Sequence, residues 1–118
     1  MLFSSGLDYS LQEVDGFNVL GMSGALTIIA FDAIVTVVHN LTEKESLIID
    51  MENIVFLTSS GINALIEISH YAKEHGTRVI LMSLGDDIIN LIDYIDSYRH
   101  FIFAGSFEEA KTKIEYYV

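Results

Sequence analysis

Leu47-Ile48-Ile49-Asp50 is followed, after a short polar stretch, by Ile54-Val55-Phe56-Leu57-Thr58-Ser59-Ser60-Gly61-Ile62, and this succession decides the fold. The first run is apolar enough for a strand buried on both faces, whereas Ile62 to His75 repeats its apolar residues at helical spacing. The hydroxyls of Thr58, Ser59 and Ser60 therefore lie at a strand-to-helix corner, with Asp50 to Asn53 expected as a polar loop before it. Free backbone N–H groups and the positive end of the helix dipole favour negative charge there, so the corner is suited to carry a phosphate. The residues alone leave a plainer role open, with Ser59 or Ser60 serving only as the helix N-cap.

Upstream, Leu7, Tyr9 and Leu11 alternate with Asp8, Ser10 and Gln12, the period of a strand with one wet face. Asp15-Gly16 then reads as a two-residue turn, with Phe17 to Met22 returning as the partner strand. Gly21-Met22-Ser23-Gly24 reads as a bulge or strand-end turn. Thr27 to Asn40 has the length and apolarity of a helix covered on both sides, although Val35, Val37 and Val38 leave a strand open. Downstream, Ser60 to about His75 is expected to be helical, ended by Gly76 with Lys73 and His75 complementing the dipole. Arg78 to Leu84 is a further apolar strand. Gly85-Asp86-Asp87 opens a third helix with Ile88, Leu91, Ile92 and Ile95 as its buried stripe. Phe101 to Phe103 is a short strand, and the Ser-x-x-Glu spacing of Ser106 and Glu109 starts a last helix with Phe107, Ala110, Ile114 and Tyr117 on one face. A hairpin followed by alternating strands and helices predicts an α/β domain with a mixed sheet, an N-terminal antiparallel hairpin, later parallel strands and about four helices.

Composition narrows the function. The 118 residues suffice for one domain, and 51% of them are apolar. Seventeen acidic residues against six Lys and Arg give a formal charge of −11. A nucleic-acid backbone would be repelled, so DNA or RNA is not the partner. The absence of Cys removes disulfides, thiolate zinc sites and Cys nucleophiles. Met1 to Gly6 lacks the basic start of an export signal, and the longest apolar run, Leu26 to Val38, is broken by Asp32 and too short to span a bilayer. The expectation is a cytoplasmic protein without membrane insertion.

The sequence holds no recognisable catalytic constellation. His39, His70, His75 and His100 offer no i, i+4 pair for zinc, so no metal site is expected. Asp86-Asp87 and Glu108-Glu109 sit where a helix start already explains them. Neither Ser-x-x-Lys, Gly-x-Ser-x-Gly, Gly-x-Gly-x-x-Gly nor a Walker loop occurs. Glu52-Asn53 reads as a solvated turn or as the rim of a phosphate or partner site. Asp50 reads either as a ligand-facing strand end or as an Asx-turn.

The span from about Gly24 to Ile114 resembles the STAS domain family, whose best-known members are bacterial anti-sigma factor antagonists. Gly24-Ala25-Leu26-Thr27 resembles the family's Gly-x-Leu entry into its first helix. Leu47 to Met51 followed by Ile54 to Ile62 resembles its central strand and signature loop, and Phe107-Glu108-Glu109-Ala110 the opening of its last helix. The chain, 1–118, is accordingly read as a single STAS-like domain.

The resemblance implies a protein-interaction switch in transcription regulation, not an enzyme and without a cofactor of its own. Its implied partner is an anti-sigma factor with a histidine-kinase-like ATPase fold, which supplies ATP and Mg and phosphorylates the loop. Ser59 is the implied phosphoacceptor, with Thr58, Ser60 and Gly61 completing the signature loop. In phosphorylated members an Asp usually precedes the acceptor; here that position is Thr58. Ile62 and Ile66, one helical turn apart beside the loop, are read as spare apolar surface for the partner or as covered by a neighbouring helix, and Asp50 and Asn53 as its polar rim. Two other functions stay open: a non-phosphorylated STAS scaffold in a transport or sensory complex, and a small-ligand sensor using the strand edge near Asp50 and Ser59. The residues are also compatible with a homodimer.

Overall fold

A computed structural model describes residues 6–117. The chain runs β1 (Leu7–Val14), β2 (Phe17–Leu26), α1 (Phe31–Thr42), β3 (Leu47–Leu57), α2 (Ser59–Glu74), β4 (Val79–Met82), α3 (Asp86–Tyr94), β5 (Ile102–Ala104) and α4 (Phe107–Tyr117), with short 3-10 turns at Ile28–Ala30 and Tyr98–His100. One five-stranded sheet has the order β1-β2-β3-β4-β5, with β1 and β2 antiparallel and the remaining pairs parallel. The α/β class, the hairpin and the four helices thus follow the sequence pattern.

Local chemistry explains the corners. Asp15 and Gly16 both take positive φ, 52° and 82°, the left-handed pair that a two-residue turn needs to match the twist of its strands. Gly76 (φ 80°) closes α2, with its N–H donating to Lys73 O and that of Thr77 to Ala72 O. Ser106 Oγ accepts from Glu109 N, and Glu109 Oε1 accepts from Gly105 N, one residue earlier than the usual reciprocal bond of a capping box.

Two cores form on the two sheet faces. Leu47, Ile49, Val79 and Leu81 face α1, α2 and α3 in the larger one. Ile48, Ile80 and Met82 face the other way and meet Ala110 and Ile114 of α4. Side chains alternating across the pleat explain why β3 and β4 read as continuous apolar runs.

Several expectations need correction. Asp50 to Asn53 is no loop: β3 continues to Leu57 as an eleven-residue strand. Between Asp50 and Asn53 it advances three residues while β2 advances two, and between Ile54 and Phe56 two against one. These bulges change the burial period from two to three, so that Met51, Ile54 and Leu57 are buried with two exposed residues between each. The helix expected from Thr27 begins as a 3-10 turn, and α1 buries one face only, through Ile34, Val38 and Thr42. β4 stops at Met82, because Ser83 turns to a φ of 62°. Of the expected stripe on α3, Ile88 and Ile92 are buried while Ile95 lies exposed past the helix end. Tyr117 on α4 and most of β1 beyond Leu7 are likewise exposed. The reading of Met1 to Ser5 lies outside the described residues.

Candidate functional site

Two strand ends meet at the start of α2. β3 delivers the chain through Leu57, whose parallel neighbour is Leu26 at the end of β2. Thr58 N then donates to Leu26 O at 3.2 Å, tying the corner to the adjacent strand. The N-cap is Thr58 and neither serine: its Oγ1 accepts from Gly61 N at 3.1 Å, and its carbonyl accepts the first helical bond from Ile62 N. Ser59 is therefore the first helical residue. It is exposed, while Ser60 is half-buried and Gly61 buried.

The consequence for Ser59 is chemical. With Gly61 N satisfied by Thr58, the N–H groups of Ser59 and Ser60 are the orphan donors of the first turn, and they lie at the positive end of a sixteen-residue helix. A charged group on Ser59 Oγ would be placed against these donors. Thr58 also provides the cap without a carboxylate, so no negative charge adjoins Ser59 in sequence. Thr58→Ala is expected to remove about 1 kcal/mol of stability, readable as a melting temperature lower by a few degrees with the fold intact.

Gly61 has a packing role. A Cβ there would stand 2.2 Å from Leu26 O and 2.9 Å from Leu57 Cδ1. Only a residue without a side chain lets α2 approach the end of β2 this closely.

The remaining candidates do not assemble at the corner. Ile62 is fully buried in the main core and is unavailable to a partner. It joins the stripe of Gly61, Ala64, Leu65, Ile68 and Ala72, since α1 packs beside α2 and widens the covered face. Ile66 is half-buried against the same core. Asp50 and Asn53 lie inside β3, most of a strand length before Ser59. They line a concavity of about 240 Å³ on the open sheet face, together with Asp8, Ser10 and Ser23. Asp50 Oδ1 accepts from Glu52 N at 3.0 Å, the local bond of an Asx-turn set into a bulged strand. The ligand-sensor reading that joined Asp50 to Ser59 therefore concerns two separate places.

Sequence reasoning missed four apolar residues around the corner. Ile28 and Ile29 are 65% and 73% exposed in the turn after β2, and Val55 and Phe56 are 80% and 56% exposed just before Leu57. The paired ends of β2 and β3 bring both doublets to the same end of the sheet as Ser59. Large apolar side chains exposed together at one end of a domain are the kind of surface that interaction sites use. Among the described residues no group of three or more His, Cys, Asp or Glu could hold a metal ion, and no helix is long and apolar enough to cross a membrane.

An α/β module that offers an exposed serine at a helix start, with exposed apolar side chains at the same end of its sheet, has the makings of a binding domain. The STAS domain model matches residues 8–110, and the chain belongs to the STAS domain family. Solved structures of the same fold include an anti-sigma factor antagonist from Mycobacterium paratuberculosis, at 17% identity over 98% of this chain and 99% of that one, with a TM-score of 0.76. The Bacillus anti-sigma factor antagonist SpoIIAA in its unphosphorylated form superposes at a TM-score of 0.73 and 18% identity, over 94% of this chain and 99% of that one. The murine Slc26a9 anion transporter contains a similar unit, at 20% identity and a TM-score of 0.73, covering 89% of this chain and 18% of that one. At these identities the likeness is one of fold. No curated protein matches the sequence.

Proposed function

We propose that this STAS domain is a protein-interaction switch of the anti-sigma factor antagonist kind, acting by binding and not by catalysis. The observation that carries this reading is the exposed Ser59 at the first position of α2, released from capping by Thr58, at the same end of the sheet as the exposed Ile28, Ile29, Val55 and Phe56. The partner is an anti-sigma factor with a histidine-kinase-like ATPase fold, which brings its own ATP and Mg, in the cytoplasm. The exposed apolar doublets supply the contact. Phosphorylation of Ser59 adds about −1.5 to −2 charges at the same end of the sheet, and the cost of desolvating that charge on docking ends the capture. The orphan N–H groups of α2 keep the modified corner folded meanwhile.

Ser59→Ala is expected to bind the anti-sigma factor as the wild type does and to take up no phosphate, whereas Ser59→Asp weakens binding by about tenfold or more. Calorimetry with both variants checks this, and equal affinities would remove the switch. The replacement of the usual Asp by Thr58, with the likeness to a transporter's domain, favours one other reading: a scaffold that stays bound in a transport or sensory complex. In that case neither variant changes affinity and the wild type carries no phosphate.

A further inference from the structure

At the far end of α2 from Ser59 lies a cavity of about 450 Å³, between the last turns of that helix and the starts of β4 and β5. Its walls carry Lys73, Arg78 and Arg99, half of the chain's six Lys and Arg, together with His70 and His100. No Asp or Glu is among the lining residues, although the chain holds seventeen acids. We propose that this cavity binds a small organic phosphate, its phosphate held by Lys73, Arg78 and the His70–His100 pair.

Lys73 alone would need no ligand, since a cation in the last turn of a helix is already favourable. Arg78, Arg99 and His100 come from other elements and have no such reason to gather. Part of their charge is committed: Arg99 Nη1 donates to Asp96 Oδ2 at 3.1 Å, and Arg78 Nη1 donates to Thr77 O at 2.7 Å. Lys73 makes no ion pair among the described residues. His70 Nε2 and His100 Nδ1 lie 3.0 Å apart and share one hydrogen bond. Burial, then the neighbouring His70 and Arg99, hold the His100 imidazole below its usual range against the smaller pull of Asp96. An anion would relieve that crowding of positive charge. Ser69 also lines the cavity, beside His70 on the same turn of α2.

Size and walls define the rest of the ligand. The volume lies in the range of small-molecule sites and exceeds what an inorganic phosphate fills. Phe101 and Tyr117 supply aromatic surface for an organic body. The distance from Ser59 is fourteen residues of helix, roughly 21 Å at 1.5 Å per residue, so this site is separate from the partner contact and its test does not depend on the switch.

Orthophosphate and phenyl phosphate are the probes, titrated into the full chain while the His70 and His100 ring signals are followed by NMR. Phenyl phosphate is expected to shift both and to bind more tightly than orthophosphate. Lys73→Glu should weaken it at least about tenfold, since reversing the charge turns attraction into repulsion. Lys73→Ala, the milder variant should Lys73→Glu fail to fold, should weaken it about threefold or more. Lys44→Glu, a charge reversal outside the cavity, should change it less than twofold. Unmoved histidine signals with both probes would overturn the proposal, as would equal losses in the Lys73 and Lys44 variants.

Discussion

Gly61→Ala is expected to lower stability by about 3 kcal/mol or more, among the larger effects of a single methyl group. The added Cβ would meet Leu26 O at 2.2 Å, and that oxygen is held in place because it accepts from Thr58 N. The neighbouring Leu57 Cδ1 could rotate away, but the backbone oxygen cannot without breaking the tie between β2 and the corner. A fall in melting temperature of roughly 10 °C or more is expected for a domain of this size. A change within two or three degrees would mean that α2 does not approach β2 as described. The signature glycine thus answers to helix–strand packing, and its loss would disturb the placement of Ser59 as a by-product.

The second large effect separates core from contact face. Ile62→Asp places an unpaired carboxylate at a fully buried position and is expected to cost about 3–5 kcal/mol, enough to unfold most of the protein. Phe56→Asp, six residues earlier and 56% exposed, should leave the melting temperature almost unchanged and reduce affinity for the anti-sigma factor by about 2–4 kcal/mol. Thermal melts and calorimetry on the same two variants decide the matter. Unchanged affinity in Phe56→Asp would remove the exposed apolar doublets from the interface, and a stable Ile62→Asp would return Ile62 to the surface.

The two variants also mark where sequence reading ended. The strand at Leu47, the Asp15-Gly16 turn, the Gly76 stop and the corner at Thr58 were all legible, because each rests on local periodicity or on a residue with special backbone freedom. Asp50 to Asn53 was read as a loop because two bulges against β2 replace the period of two by three, a signal that depends on the partner strand. The same bulges expose Val55 and Phe56, so that apolar doublet was hidden for the same reason. Ile62 was left open between contact surface and cover by a neighbouring helix, because a helix wheel does not tell how wide a face its neighbours cover, and here α1 widens it. The N-cap was read as Ser59 or Ser60, and the strand end places it one residue earlier, at Thr58. The cationic cavity joins residues 69 to 117 from five elements, and no motif spacing announces it.

The central claim, that Ser59 carries the switch, meets its most direct test in one incubation. The wild-type chain is mixed with a histidine-kinase-like anti-sigma factor and with Mg-ATP, and the products are separated by size and mapped by tandem mass spectrometry. A single phosphate on Ser59 is expected, found only in protein that no longer co-elutes with its partner. A phosphate on Thr58 or Ser60 instead, or an unmodified chain that stays bound throughout, would contradict it.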